Sequence, residues 1–394
     1  MFYLIVFIIL VFLSVLDVEI KAKNSKQFLL IIAATILILI AGLRVETGGD
    51  WNNYASIYKN CPTFINAIST PQLLAQIPIE NGFLIFCSLI KQIGGSMQLL
   101  LFSISLLNIT LIAKSLSDYT KFPVLGLLCY YCILYFSLEM IYLRQAMAVA
   151  ICFFSLRYIK QKNVWLYVLL ILLATSMHRI AIVLLPFYWL LDKNISAKTY
   201  IIIMTIGMFI MLVGVLWLKP IFLHVSFWLG ENFYNKALLY ATEERFAVHR
   251  VVTIGYFLNI LIFAAFMCFK KEIENLQYGK ICLNMFCVSL IMYYYCYELI
   301  EVSNRVRLVF LIGIIALLPM LIEVLQGNMS KYIALIPVVL YCFSFSMHIF
   351  LEHPRAVAYN PYQNYVVMQL TNKKSTGPER LKKSKQFFDN ERKR

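Results

Sequence analysis

Residues 164–191 read VWLYVLLILLATSMHRIAIVLLPFYWLL, a run that is apolar throughout except at its centre, where His178 adjoins Arg179. A bilayer core of ~30 Å is crossed by about 20 helical residues, so this run is long for one span, and lysines flank it at both ends. The pattern predicts two half-length helices that dip into the membrane and return, with a break at His178. A broken helix is tolerated at membrane depth only where it lines a cavity within the protein.

The rest of the chain shares this apolar character. Of its 394 residues, 61% are hydrophobic and 14% charged, and the mean hydropathy is +0.76, whereas an average soluble domain carries about 25% charged residues. A set of soluble domains is therefore excluded. The apolar runs of spanning or near-spanning length are 2–18, 27–43, 96–113, 122–142, 145–159, 164–191, 200–218, 251–269, 281–297, 306–325 and 332–350. They predict an all-α polytopic integral membrane protein with about 11–12 transmembrane helices.

The short loops predict the topology, because lysines between spans are expected to face the cytoplasm. These lysines are Lys21, Lys23, Lys26, Lys114, Lys121, Lys160, Lys162, Lys193, Lys198, Lys270, Lys271 and Lys280. We expect one transmembrane domain over residues 1–350. Its larger outer-face loops are expected at about 44–79 and 219–250, and its re-entrant segments at about 80–93 and 164–191. The basic tail, 351–394, is expected on the outer face and partly disordered. A single tilted span over 164–191 would instead place the tail in the cytoplasm.

The net charge of +15 does not indicate a nucleic-acid partner, because no basic segment is soluble and folded. Anionic lipid headgroups are the expected partner. The chain contains no P-loop, no GxGxxG, no HExxH, no GxSxG and no D-x-D, the motifs that would indicate nucleotide or metal chemistry. We therefore expect neither a metal nor a cofactor, and the candidate functional residues are polar side chains at the ends of apolar helices.

The end of the second apolar run carries the first group, Gly42-Leu43-Arg44 followed by Gly48-Gly49-Asp50-Trp51 and Tyr54. An arginine at the outer interface can hold two phosphate oxygens at once, which a lysine cannot. The alternative is a snorkelling arginine beside a surface turn with an aromatic anchor.

Arg144 and Gln145 stand between two apolar runs, where an arginine costs several kcal/mol unless it is paired. An ion pair with Glu139, about one turn earlier, is the alternative to a functional role. His178 beside Arg179 suits proton transfer near a bound anion, although a lone histidine in an apolar run is more often a packed or capping residue.

Three further positions are candidates. Glu80 precedes the short segment 80–93 and is either a functional carboxylate or a helix-start residue. Arg305 opens a late span and is either an anion ligand or a partner of nearby glutamates. Tyr362, after Pro361, either stacks on sugar rings or anchors the chain at headgroup depth.

In order and approximate spacing, these motifs resemble the EpsG-like branch of the Wzy-type polysaccharide polymerases, which includes O-antigen polymerases. The resemblance rests on Gly42-Leu43-Arg44, Gly48-x-Asp50-x-x-x-Tyr54, Glu80-x-Gly82-Phe83, Arg144-Gln145-x-x-Ala148, His178, Arg305 and Pro361-Tyr362. It runs through most of the chain, and the extended basic tail departs from it.

The resemblance implies a glycosyltransferase in the bacterial cytoplasmic (inner) membrane, acting in O-antigen lipopolysaccharide or exopolysaccharide biosynthesis. Such an enzyme moves the growing glycan from undecaprenyl diphosphate onto a new lipid-linked repeat unit at the outer face, and a chain-length regulator is an expected partner. The leaving diphosphate requires cations, for which the candidates are Arg144, Arg44 and Arg305, with Gln145 beside them. The candidate bases are His178, Asp50 and Glu80, and the sequence does not choose among them. Trp51, Tyr54 and Tyr362 are candidates for lining the glycan path.

Two other functions remain open. A lipid-linked oligosaccharide flippase would place ionisable groups near the membrane midplane and often shows repeats, whereas here the charges lie at helix ends and no repeat is visible. An O-antigen ligase would use the same lipid donor but lipid A-core as the acceptor. Only the series of motifs favours a polymerase over a ligase. A structural scaffold would leave Arg144 and His178 unexplained.

Overall fold

The computed structural model describes residues 1–228, 254–325 and 327–392, together with 230–231, 234–235 and 237–238. Helices dominate, and the described residues contain no strand beyond one bridge between Arg44 and Asn364. The predicted all-α fold is confirmed. Most of the predicted outer loop 219–250 lies outside the described residues.

The chain divides into two compact units, Met1–Ile182 with Leu318–Arg394 and Val183–Leu317. The helices up to the break at His178 are α1 (Phe2–Glu19), α2 (Lys23–Gly42), α3 (Trp51–Asn60), α4 (Phe64–Ser69), α5 (Gln72–Ala75), α6 (Asn81–Gln92), α7 (Met97–Tyr119), α8 (Pro123–Tyr130), α9 (Phe136–Leu138), α10 (Leu143–Ser155), α11 (Arg157–Lys160) and α12 (Val164–Met177). Those after a 3₁₀ helix at Arg179–Tyr188 are α13 (Ala197–Val213), α14 (Leu218–Trp228), α15 (Ile254–Cys268), α16 (Lys270–Glu274), α17 (Gly279–Tyr295), α18 (Ile300–Leu311), α19 (Ile314–Glu323), α20 (Asn328–Phe350), α21 (Tyr365–Thr371) and α22 (Gly377–Arg392).

Several helices have the length and apolar character of membrane spans, which confirms the polytopic membrane fold. Within the described part of the chain, four qualify alone (α1, α2, α7 and most of α20), and six qualify if the bent pairs α13–α14 and α18–α19 each count as one. These are fewer than the 11–12 spans predicted, because other apolar helices in the described part of the chain are only 10–17 residues long: Pro123–Leu138, Val164–Met177, Arg179–Tyr188 and Gly255–Cys268. The run 145–159 divides at Leu156.

The helices of the first unit end in two groups. At the end that we call the lysine end, Lys26 of α2 donates to the carbonyl of Lys121 after α7 (2.8 Å), and Arg157 of α11 pairs with Asp118 of α7 (2.8 Å). Lysines predicted to face the cytoplasm thus lie together. At the opposite end, which we call the loop end, Gln98 at the start of α7 donates to the carbonyl of Gly42 at the end of α2.

The predicted re-entrant segment 80–93 corresponds to α6, and both ends of this helix lie at the loop end. Glu80 precedes it, and Gly95 after it accepts a hydrogen bond from the Tyr58 hydroxyl (2.6 Å), two residues before α7 begins. At 12 residues, α6 spans about 18 Å and does not cross the unit.

The C-terminal tail also lies at the loop end. The ring of Tyr362 stacks on that of Phe2 at 4.2 Å, and Asn360 donates to the carbonyl of Ile349 at the end of α20. The tail was expected to be partly disordered because of its composition, but it forms α21 and α22. Buried Arg380 anchors it, a contact that composition does not reveal.

The second unit is organised by α17, which packs against α13 and α18. Buried Asn284 of α17 accepts from the Tyr200 hydroxyl (2.5 Å), and buried Glu298 accepts three backbone N–H groups at the start of α14. Glu298 therefore acts as a helix cap. Arg305 lies on α18 in this unit.

Candidate functional site

An ion pair between Glu80 and Arg144 lies at the loop end of the first unit. Glu80 is the N-cap residue of α6 and Arg144 is in the first turn of α10, and Nη1 of the arginine contacts Oε2 of the glutamate. The two side chains are 11% and 24% exposed. The alternative pairing with Glu139 was wrong, because that carboxylate accepts from the Tyr130 hydroxyl (2.6 Å) and from Asn108 (3.3 Å).

The break at His178 brings two more polar groups to this pair. Helix α12 ends at Met177, His178 is extended, and the freed N–H of Arg179 donates to Oε1 of Glu80 (3.3 Å). The α-helix therefore ends where the sequence predicts a break and is followed by the 3₁₀ helix Arg179–Tyr188, while a return of this segment through the membrane stays a prediction. The close approach depends on Gly82, because a Cβ there would lie 2.3 Å from Oγ of Ser176.

One ring nitrogen of His178 accepts a hydrogen bond from the backbone. The N–H of Ile180 donates to Nδ1 of His178 (3.4 Å), which places the proton of a neutral imidazole on Nε2. His178 is half-buried and close enough to Glu80 to lower the pKa of its carboxyl.

Tyr54 forms the third side of the site. Its hydroxyl accepts the N–H of Arg144 (3.5 Å), one of the backbone donors that a first helical turn leaves unpaired. The ring is 6% exposed and packs edge-on against Phe83 at 6.0 Å. Asp50, the N-cap residue of α3, lies one turn before Tyr54. Trp51 packs against the buried apolar cluster that contains Tyr54 and Phe83.

An apolar floor fixes these elements relative to one another. Residues from α3, α6, α7 and α10 form one buried cluster: Tyr54, Tyr58, Cys61, Phe83, Leu84, Cys87, Leu100, Leu101, Ile104, Leu143 and Met147. Gln145, 1% exposed, lies beside Arg144. The helices that carry Tyr54, Glu80 and Arg144 are thus packed against one another through this buried cluster, which fixes the positions of these side chains.

Charge around Glu80 keeps its carboxyl ionised. Burial alone would raise its pKa, but Arg144, the N–H groups of Glu80 and Arg179, and His178 together outweigh burial, so the pKa lies below its ordinary value. A carboxylate with a lowered pKa is a weak proton acceptor.

Arg44 lies in a second cluster at the same end. It is 1% exposed, donates from Nη1 to the carbonyl of Ala41, and has Tyr3, Tyr135 and Glu139 as charged or polar neighbours. The side chain is therefore enclosed, in contrast to the partly exposed Arg144. Tyr362 packs here too, and its hydroxyl donates to the carbonyl of Ile40 (3.1 Å).

The loop 44–50 connects the two clusters. Gly48 has φ +96°, and a Cβ there would lie 1.9 Å from the carbonyl oxygen of Met140, shortly before α10. The N–H of Gly48 donates to the carbonyl of Ala358 in the tail (3.3 Å). The position of Asp50 therefore depends on a backbone contact that only glycine allows.

Arg380 is a buried residue at the loop end that the sequence motifs did not indicate. Its guanidinium donates to the carbonyls of Pro361 (2.9 Å), Val45 (3.2 Å) and Glu46 (3.2 Å) and thus ties α22 to the loop of Arg44. No local sequence signal reveals it, because its partners lie far away in the chain.

The structure thus brings Asp50, Tyr54, Glu80, Arg144 and His178 to one place, with Trp51 and Gln145 beside them. Arg44 and Tyr362 lie in the neighbouring cluster, and Arg305 belongs to the second unit. Within the residues described, no group of three or more His, Cys, Asp or Glu side chains could hold a metal ion.

Comparison with known proteins supplies one match. A sequence model described as the EpsG family matches residues 27–364, more than four fifths of the chain. The matched region includes every candidate residue of the site and stops before α21. No curated protein and no solved structure matches at a significant level.

Proposed function

Because the chain belongs to the EpsG family, which suggests a polysaccharide polymerase-like role, we propose that it is a polyprenyl-diphosphate-dependent glycan polymerase of the bacterial inner membrane. The growing glycan, linked to undecaprenyl diphosphate, is transferred to a hydroxyl of a new lipid-linked repeat unit. O-antigen lipopolysaccharide is the product class that the motif series favours. The observation that carries the proposal is the Glu80–Arg144 pair, a partly exposed arginine fixed at the loop end.

The location of the pair supports a reaction at the outer face. Lys26 and Lys121 lie together at the opposite end of the unit, and clustered lysines mark the cytoplasmic side. The loop end then faces outward, where lipid-linked repeat units are joined.

The transfer needs a cation for its leaving group. The bond between the anomeric carbon and the diphosphate oxygen breaks, negative charge develops on that oxygen, and the acceptor hydroxyl oxygen bonds to the anomeric carbon. The fork of Arg144 can bind two diphosphate oxygens. Glu80 is a positioning residue, because its carboxylate holds the guanidinium while binding to the backbone of Arg179.

The transfer also needs a base for the acceptor proton. Glu80 is poorly suited because its pKa is lowered, and Nδ1 of His178 already accepts a backbone hydrogen bond. We infer that Asp50 accepts the proton. Its only hydrogen bond from a side chain within the described residues comes from Asn53, at 3.3 Å.

The test is a gel of surface polysaccharide from a strain that lacks the gene, complemented with wild-type or variant copies. The proposal expects lipid A-core with one repeat unit and no ladder in the deletion strain, and a restored ladder with the wild type. Asp50→Asn should fail to restore it, whereas Asn53→Ala should succeed. A core without any repeat unit would refute the proposal and indicate the flippase or the ligase.

A further inference from the structure

A large apolar groove opens at the loop end of the first unit, beside the Arg44 cluster. Its volume is about 1010 Å³, at the upper limit of ordinary small-molecule pockets. One wall is formed by α1 and α2, including Val6, Ile36 and Leu39, and by Leu43 just after α2. The other wall is formed by α21, including Val366 and Val367.

The groove has cations at one edge only. Lys373 and Lys374 line it just after α21 ends, and both are exposed. The remaining lining is mostly apolar. An apolar trough with two adjacent ammonium groups at its rim is complementary to a long hydrocarbon chain that carries a phosphate or diphosphate head.

The loop that carries the two lysines is held in place. Oε1 of Gln363 accepts from the N–H of Thr376 (3.0 Å), from the hydroxyl of Ser375 (3.3 Å) and from Arg380 (3.3 Å). These contacts join the residue before α21 to the end of the loop 372–376 that follows α21. The lysines therefore stand on a fixed loop rather than on a free tail.

We propose that this groove binds the polyprenyl chain of the acceptor, the new lipid-linked repeat unit, with Lys373 and Lys374 contacting its diphosphate. The inference rests on the proposed function for the identity of the lipid. The groove adjoins the Arg44 cluster, because Leu43 and Tyr362 line it, and Tyr362 is a neighbour of Arg44. Its α21 wall lies beyond residue 364, outside the family match, so this part of the binding site was not visible from the motifs.

The test uses the full chain in nanodiscs of neutral phosphatidylcholine. The probe is undecaprenyl diphosphate with a photoreactive diazirine in its chain, and cross-linked peptides are mapped by mass spectrometry. We expect cross-links to α2 and α21 that unlabelled undecaprenyl diphosphate removes and phosphatidylglycerol does not. Equal competition by phosphatidylglycerol would overturn the proposal in favour of a structural anionic lipid.

Two matched pairs of variants locate the binding. Val367→Trp fills the groove and should lower cross-linking at least tenfold, whereas Leu370→Trp, on the same helix but outside the lining, should leave it unchanged. Lys373→Glu with Lys374→Glu should weaken binding, and the same double change at Lys382 and Lys383 should not. Equal losses within either pair would refute the assignment.

The outcome separates this inference from the proposed function. Specific cross-linking by a chain that forms no polymer would uphold the groove and reject the polymerase. Normal cross-linking and normal polymer with Val367→Trp would reject the groove and leave the polymerase in place.

Discussion

Replacing Arg144 with lysine tests the proposed site most directly, because it keeps the positive charge and removes the planar fork. A lysine can still pair with Glu80, so we expect the protein to remain folded in the membrane. It cannot bind two diphosphate oxygens in parallel. Loss of one preorganised donor at a developing oxyanion costs about 2.7–4 kcal/mol, or about 10²–10³ in rate, so we expect polymerisation to fall by about that factor.

The assay is the length distribution of surface polysaccharide, together with initial rates on purified lipid-linked repeat units. Arg157→Lys is the matched control. Arg157 is also a partly buried arginine in an ion pair, with Asp118 at 2.8 Å, but it lies at the lysine end. We expect this variant to give a normal ladder, and membrane levels of both variants are compared by immunoblot.

A double-mutant cycle with Glu80→Gln completes the test. If Glu80 acts through Arg144, its loss should matter much less when Arg144 is already lysine, because interacting residues are non-additive. A near-normal polymerisation rate for Arg144→Lys would refute the reasoning. Full additivity of the two changes would refute the positioning role of Glu80 alone.

Three further predictions follow from the geometry. Gly48→Ala should abolish the ladder, because a side chain at φ +96° is strained by about 1–3 kcal/mol and its Cβ would lie 1.9 Å from a carbonyl oxygen. The control Gly49→Ala should be tolerated, because no atom lies within 4 Å of the position of its Cβ. Arg380→Ala should destabilise the protein by about 3 kcal/mol in thermal unfolding, and Lys382→Ala should not. The pKa of Glu80 is lowered, so its ion pair stabilises the fold fully above the ordinary carboxyl pKa of about 4.3, and this stability is lost as the pH falls through the lowered pKa. Thermal unfolding between pH 3 and 7 should therefore show a loss of stability at acid pH, and Glu80→Gln should reduce that loss.

The sequence predicted the helical class and the break at His178 because both depend on local composition. An apolar run with a histidine and an arginine at its centre cannot continue as an ordinary span. In the described part of the chain, fewer helices than apolar runs have the length of a span. Hydropathy measures how apolar a run is, but it does not predict where the helix within that run begins and ends: the run 122–142 forms an apolar helix only over Pro123–Leu138.

The candidate residues could be chosen from the sequence, but their pairing could not. Arg144 has Glu139 nearby in sequence, yet its partner is Glu80, on another helix start. The choice depends on which carboxylate is already satisfied, and Glu139 is bound by Tyr130 and Asn108. Such competition among distant groups has no signature in residue spacing.

The position of the tail reconciles its charge with the topology. If the loop end faces outward, as we propose, the basic tail there runs against the charge bias, but that bias is set mainly by short loops near the spans. Arg380, which contributes to the positive charge, binds the backbone carbonyls of Val45 and Glu46. Lys373 and Lys374 line the groove instead of remaining in a free tail. Arg380, Lys373 and Lys374 therefore have structural or proposed binding roles at the loop end, and their positive charge alone gives no reason to place the tail in the cytoplasm.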